Sequence, residues 1–397
     1  MRQGPVRKLL SLGSCLFVFT LAACTSSPPK SSDSTDSAGN QETAAADPRV
    51  AAPPSPPRPP LPAYKATRLT GDYADYASLQ RLITQLGTEG QFEREYLYGL
   101  FSRVERQQWI LDYLNRPKRK SKKPVPGGWT RYRKRFITEN HIQRGMRFWH
   151  DYLPELERAY GRFGVAPEYI VAIIGVETHY GANVGRHRVI EALSTLAFDY
   201  PRREAFFREQ LVDFLVMSRD EGIDPLEPVG SYAGAMGLGQ FMPSSFHQFA
   251  VDFDGDGVRD LWNPVDAVGS VANYFHAHGW QTDAPVAVPA RARGRAPHSL
   301  EAGFSSRYSI DNLAHQGIAP LTRIDGDADV SLLRLHAARG REYWVGLNNF
   351  YVITRYNHST YYAMAVHQLA EALRDRYRRQ APVRLSQAGG AAGTPIL

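Results

Sequence analysis

The chain has 397 residues, 47 of them Lys or Arg and 40 Asp or Glu, for a formal charge of +7 with histidines neutral. The basic excess is mild, and hydrophobic residues at 43% are enough for a sizeable core. Cys15 and Cys24 are the two cysteines, so a disulfide framework is excluded and stability has to come from packing.

In chain order, Arg2, Arg7 and Lys8 precede an apolar run from about Leu9 to Ala23, too short to span a membrane. This predicts a secretory signal over residues 1–23. Its end, Leu21-Ala22-Ala23-Cys24, resembles the bacterial lipoprotein cleavage box. That implies an acylated Cys24 anchoring the chain to the periplasmic face of the outer membrane, since the following Thr25 is not an Asp retention signal. Ser, Pro and Ala dominate residues 24–63, a composition that cannot bury a core and reads as a disordered tether. Outside the cytoplasm, a membrane or an acidic cell-wall polymer is a more available partner than nucleic acid.

Helical periodicity marks Leu79–Leu86, Phe92–Leu114 and Ile142–Phe163. Between them, Arg116, Lys118, Arg119, Lys120, Lys122, Lys123, Arg131, Arg133, Lys134 and Arg135 fall in one stretch without an acid. The stretch reads either as a solvated loop or as a docking surface for an anionic polymer. The segment APEYIVAIIGVETHYG follows, from Ala166 to Gly181. Pro167 suits the first helical position and Gly181 a left-handed exit, predicting a helix over Pro167–Tyr180. Ile174, Ile173 and Ile170 lie three, four and seven residues before Glu177, which puts the acid on the core stripe. Burial raises a carboxyl pKa, the condition for a general acid near neutral pH. A buried Glu paired with Arg or Lys would give the same pattern. The next predicted helix runs from Arg202 to Arg219, with Phe206, Phe207, Leu211, Phe214 and Leu215 on one face.

Asp252-Phe253-Asp254-Gly255-Asp256-Gly257 follows the calcium-loop pattern, in which alternate carboxylates converge on a hard cation and Gly permits a sharp turn. Val258 falls at the seventh position, where a backbone carbonyl suffices. The twelfth position holds Asn263 in place of Glu, and Asp266, just inside a helix starting at Pro264, is the expected replacement. A plain Asx-rich turn is the alternative. Asp325-Gly326-Asp327-Ala328-Asp329 has Val330 where Gly belongs and reads as a turn. From about Ala284 to Arg355 the β-rich runs Pro285–Val288, Val330–Leu335 and Tyr343–Thr354 predict a small antiparallel subdomain, before a last helix over Thr360–Arg376.

Four features now stand together: VETHYG around Glu177, the segment SYAGAMGLGQFMPSS from Ser231 to Ser245, the acidic loop immediately after it, and the Tyr356-Asn357 pair. In that order, from about Asp72 to Leu373, the chain resembles the membrane-bound lytic murein transglycosylases. The resemblance implies a mainly α, α+β fold within residues 64–380. A lysozyme-like helical core would occupy about 166–282 and 356–380, beside an N-terminal helical part over about 64–165. A small antiparallel β subdomain over about 283–355 would sit next to the EF-hand-like loop, with a flexible tail at 381–397.

It also implies that peptidoglycan glycan strands are the substrate, cut at the β-1,4 bond between N-acetylmuramic acid and N-acetylglucosamine. The muramoyl C6 hydroxyl, not water, would attack and leave a 1,6-anhydro end. With the substrate's 2-acetamido group participating, one protein carboxylate suffices, and Glu177 would act first as acid and then as base. Matched to the family's motifs, Ser231 would lie near the acetamido group and Gln240 would bind saccharide. Tyr274, Tyr356 and Tyr362 would offer faces and hydroxyls to sugars, and Asn357 would fix a substrate amide or hydroxyl. Tyr132 would reach in from the N-terminal part, and Arg202 and Arg203 would meet peptide or lactyl carboxylates. Calcium would be structural, at Asp252, Asp254, Asp256, Val258 and Asp266, with no cofactor needed for the chemistry. Other cell-wall enzymes are candidate partners. A goose-type lysozyme hydrolysing the same bond, or a non-catalytic peptidoglycan-binding lipoprotein, would be the alternatives. Loss of the motif glutamate would mark the latter, and Glu177 is present.

Overall fold

The computed structural model describes residues 63–117, 126–294, 296–324 and 329–380. The signal, Cys24, nearly all of the tether, the lysines Lys118, Lys120, Lys122 and Lys123, the pair Asp325 and Asp327, and the tail lie outside the described residues. Among the described residues no helix is long and apolar enough to cross a membrane.

The N-terminal part carries α1 (Ala77–Thr88), α2 (Arg94–Phe101), α3 (Gln108–Asn115), α4 (Gly128–Arg133), α5 (Glu139–Asp151) and α6 (Leu153–Phe163). Then come α7 (Pro167–Thr178), β1 (His187–Arg188), α8 (Val189–Asp199), α9 (Glu204–Glu221), β2 (Val229–Gly230), α10 (Pro243–Phe249) and α11 (Pro264–Ala277). The rest is β3 (Ala287–Ala292), α12 (Ile310–His315), β4 (Ile318–Pro320), β5 (Ser331–Ala337), β6 (Gly340–Gly346), α13 (Asn348–Tyr356) and α14 (Thr360–Gln380). The fold is therefore mainly helical, with small antiparallel sheets.

Several boundaries differ from the sequence expectation, and three of the differences change the elements themselves. Phe92–Leu114 is split into α2 and α3. At the break, the Arg106 amide donates to Asp72 (2.9 Å) and the Gln107 amide to Thr195 Oγ1 (2.9 Å), so side chains replace the helical acceptors. Ile142–Phe163 is split at Tyr152, with Pro154 at the start of α6, where a missing N–H costs nothing. Tyr343–Thr354 is strand only as far as Gly346 and then helix. Although Tyr, Val, Ile and Thr favour strands, Asn349 at the start of α13 donates to Gln281 O (2.8 Å) and Ala284 O (3.1 Å) and accepts from the Gln281 amide (2.8 Å), and this tertiary tie overrides propensity.

α7 is the central element. Every residue from Tyr169 to Thr178 is buried, and α14, α5, α6 and α11 pack around it. A helix buried on all sides needs no polar face, which explains its near-continuous apolar composition. The four-stranded sheet has the order β4-β3-β6-β5, all antiparallel. Its two faces follow the strand period. Leu333 and Leu335 of β5 join the main core, whereas Leu332 packs with Val288, Val345, Leu313 and Ile318 in a second, smaller core. β5 in turn packs on α4, where the Gly127 amide donates to Ala337 O (3.1 Å) and the Ala338 amide to Thr130 Oγ1 (2.9 Å).

Candidate active site

Glu177 lies one residue before the end of α7 and is 5% exposed. The Tyr362 hydroxyl of α14 donates to its Oε1 at 2.5 Å. Burial pushes the carboxyl up to about 7, and the Tyr362 hydrogen bond, which favours the ionised form, opposes that rise. No cation pairs with Glu177 among the described residues, which leaves the ion-pair alternative without a partner. Tyr132, Tyr356 and Tyr362 all have hydroxyls pushed up, by burial first and then by the nearby Glu177 charge. Three phenols from α4, α13 and α14 thus gather around one carboxyl that is poised to hold or release a proton near neutral pH.

The exit of α7 is unusual. Besides Gly181 (φ 80°), His179 (φ 53°) and Tyr180 (φ 62°) are left-handed, so the helix stops at Thr178 and not at Tyr180 as its sequence suggests. Left-handed non-glycine residues carry strain that the surroundings must hold in place. Two contacts do so. The Tyr180 ring turns back between α5 and α7 at glycines on both, and a Cβ on Gly145 or Gly175 would stand 2.5 or 2.6 Å from its hydroxyl. Thr178 Oγ1 lies 3.0 Å from Leu238 O and 3.1 Å from Ile174 O, and accepts from the Gly181 amide at 3.1 Å. The acid is thereby tied to the glycine-rich loop. Sequence reasoning missed both residues, although the Thr and Tyr of VETHYG flank the helix exit and were the available signal.

The remaining sequence candidates divide by what they touch. Tyr356 donates to Gly239 O (2.6 Å), where a side chain on Gly239 would stand 2.9 Å from the phenol oxygen. Tyr274 donates to Arg355 O (2.7 Å) and lies 4.7 Å, ring to ring, from Tyr356, so it supports that ring from behind. Gln240 is itself left-handed (φ 54°) and donates its amide to Val184 O (3.1 Å) and Gly237 O (2.9 Å), so its side-chain nitrogen is committed to backbone. Ser231 Oγ accepts from the Ala233 (3.3 Å) and Ala235 (3.0 Å) amides, which caps its turn and leaves the hydroxyl proton for another acceptor. Asn357 ends α13 in an extended conformation, half-exposed. Arg202 is exposed, and the Arg203 guanidinium lies 4.0 Å from the Phe206 ring centre, so neither is joined to Glu177 by a contact among the described residues. Arg135 lies over the Tyr132 ring (5.7 Å), and Arg133 donates to Gln368 on α14 (2.5 Å).

In the acidic loop, Asp252, Asp254 and Asp266 bring carboxylate oxygens within 4.8 Å of one another. Asp266 is 1% exposed and also orders the loop, accepting from the Phe253 (2.7 Å), Asp254 (3.2 Å) and Asp260 (2.8 Å) amides. Asp256 turns to the Val258 amide (2.8 Å) and stands outside the converging three. Asn263 donates to Asp254 (2.6 Å) and caps α11, a different use of the twelfth position. Three carboxylates with free lone pairs form a hard-oxygen donor set suited to calcium or magnesium. The loop is clamped from two sides: Arg158 donates to Phe253 O (2.6 Å), and Arg259 donates from Nη2 (2.5 Å) and Nε (2.9 Å) to Oε1 of the buried Glu221 of α9.

The family of proteins with a transglycosylase SLT domain matches residues 74–371. The membrane-bound lytic murein transglycosylase B of Escherichia coli K12 is 50% identical over 298 residues, covering 74% of this chain and 82% of that protein. The Escherichia coli lytic transglycosylase SLT35, solved in complex with calcium, superposes with a TM-score of 0.74 at 48% identity, covering 79% of this chain and 97% of that one. SltB3 from Pseudomonas aeruginosa, in complex with NAG-anhNAM-pentapeptide, superposes with a TM-score of 0.66 at 29% identity, covering 75% and 79% of the two chains.

Proposed function

The chain belongs to the transglycosylase SLT family, and from that premise we propose how it works as a lytic transglycosylase on peptidoglycan. The observation that carries the mechanism is one buried carboxyl, Glu177, raised to about 7 and hydrogen-bonded, among the described residues, by Tyr362. Protonated, it donates to the glycosidic oxygen of the leaving N-acetylglucosamine while the muramoyl acetamido oxygen closes on C1. Ionised, it takes the proton from the C6 hydroxyl as that oxygen attacks C1, the bond from C1 to the acetamido oxygen breaks and the 1,6-anhydro ring forms. A pKa near the working pH suits both steps, because neither protonation state is scarce.

Tyr132, Tyr356 and Tyr362 wall the acid and offer phenols to the sugar at C1. Ser231, Gln240 and Asn357 supply the remaining polar contacts from the glycine-rich loop and the end of α13, and Arg202 with Arg203 serves the carboxylates of the peptide-bearing side. Asp252, Asp254 and Asp266 hold a structural calcium ion, supported by their convergence and by the calcium in the SLT35 relative. The ion braces the loop that follows the glycine-rich segment and takes no part in proton transfer. The chain works at the periplasmic face of a membrane, tethered by an acylated Cys24, in keeping with its membrane-bound relative.

Mass spectrometry of muropeptides released from purified sacculi tests the reaction. Products one water lighter than reducing-end muropeptides are expected. Reducing ends alone would mean that water attacks and that the chain is a hydrolase.

A further inference from the structure

Several features lie outside the proton-transfer site. The cleft lined by His298, Arg341 and Tyr343 beside the sheet and the one at the turn Gly87–Arg94 include none of the residues gathered around Glu177. One feature is continuous with it.

Trp109 on α3 is 40% exposed, unusual for the largest side chain, with its indole N–H already satisfied by Gln107 Oε1 (3.0 Å). Its ring lies 4.5 Å from that of His187. One helical turn on, Tyr113 meets Tyr232 edge to face at 5.3 Å, and the Arg116 guanidinium lies 5.6 Å from the Tyr113 ring centre. His187 is paired through its strand with Gly230, the residue before Ser231, and Tyr232 is the residue after it. The aromatic strip on α3, exposed at Trp109 and half-buried at Tyr113, therefore abuts the start of the same loop whose far end, at Leu238 and Gly239, touches Thr178 and Tyr356 beside the acid.

We propose that Trp109 and Tyr113, with His187 and Tyr232, form a distal glycan subsite that holds a sugar several residues along the strand from the bond being cut. Sugar rings present apolar C–H faces that stack on exposed aromatic rings, and their hydroxyls and acetamido groups suit the neighbouring Arg116 and His187. Two rings one turn apart on a helix present a surface long enough for consecutive sugars and select for length rather than chemistry. A purely structural role does not need Trp109 to be so exposed. The subsite rests on the transglycosylase reading above, and its test separates the two.

The measurement compares Trp109→Ala and Trp109→Ala/Tyr113→Ala with wild type on long glycan strands and on a short disaccharide-repeat substrate that reaches only the bonds beside Glu177. Anhydro products from wild type on both substrates keep the reaction itself in place. For the variants, KM on strands is expected to rise about tenfold with kcat unchanged, the order of one lost ring contact, and the short substrate to be unaffected. Trp109→Phe, which keeps a ring, is expected to restore most of the strand KM. If the alanine variant melts early, Trp109→Gln takes its place. An unchanged strand KM, or an equal rise on both substrates, would overturn the subsite.

Discussion

Tyr362 Oη lies 2.5 Å from Glu177 Oε1 and donates to it, so one phenol works against the apolar walls of α7. The hydrogen bond favours the ionised carboxylate and burial the neutral acid. Tyr362→Phe removes the first influence and leaves the second, so the Glu177 pKa is expected to rise from about 7. A bond to a charged group is worth roughly 1.5–3 kcal/mol, or about one to two pH units. The alkaline limb of kcat/KM should shift upward by that amount, while kcat falls because the base needed for the second step is harder to form. An alkaline limb that stays in place would show that Tyr362 does not tune the acid.

Glu177→Gln keeps the side-chain shape but has no proton to deliver, and turnover is expected to fall by roughly 10²- to 10⁴-fold. The same substitution should stabilise the fold in a pH-dependent way. Below about pH 4.5 the carboxyl is protonated in both folded and unfolded chains, and removing it changes little. As pH rises toward 7, the unfolded chain releases its proton while the buried group keeps it, and the native state loses ground. Above that, both forms are ionised and the full penalty, about 3 kcal/mol, is present. Urea titrations of wild type and variant near pH 4 and pH 8 check this, with a stability gain confined to the higher pH as the expected result.

Much of this was legible in the chain. Ile170, Ile173 and Ile174 place Glu177 on a buried stripe by spacing alone, and the Asp252 to Asp266 spacing marks the loop in which three carboxylates converge. The gathering of Tyr132, Tyr356 and Tyr362 around the acid came from the family resemblance and not from periodicity, because α4, α13 and α14 are brought together only by tertiary packing. The start of α13 at Asn348 and the wedging of Tyr180 between Gly145 and Gly175 depend on partners far away in sequence. Local propensity carries no record of them. Asp256 fits the sequence pattern, yet its carboxylate stands outside the converging three and accepts from the Val258 amide, a placement that a motif cannot register.

Calcium is expected to raise the melting temperature of wild type over that in EDTA. A ligand at about 100 times its dissociation constant adds about 2.7 kcal/mol. Magnesium, which is smaller and loses its water reluctantly, should have less effect. Asp252→Ala/Asp254→Ala removes two of the three converging carboxylates and should abolish the response, whereas Asp256→Ala, outside the three, should retain most of it. Identical melting curves for wild type in calcium and in EDTA would remove the ion from the loop.

Cys24 lies at the end of the signal-like run, and an anchor there makes a prediction about partition and not about folding. Wild type should fractionate with membranes and Cys24→Ala should be released, with the same activity on isolated sacculi. Equal release of both would leave the chain without that tether.

Thr178 bears on whether the acid and the glycine-rich loop are one unit. Its side chain is fully buried, and its oxygen accepts from the Gly181 amide and lies within 3.0 Å of Leu238 O and 3.1 Å of Ile174 O. Thr178→Val preserves the shape but leaves the Gly181 amide without that acceptor and Leu238 O without that donor, a loss expected to cost about 1–3 kcal/mol. The strained exit through His179 and Tyr180 then loses one of its two restraints, because Tyr180 still fills the gap at Gly145 and Gly175. Since Glu177 is the residue before Thr178 and Gln240 follows the loop position it holds, kcat should fall while the pH profile, set by burial and Tyr362, keeps its shape. Urea denaturation measures the first effect and kcat against pH the second. Unchanged stability would show that the bridge contributes nothing, and a shifted profile would show that Thr178 acts on the proton and not on position.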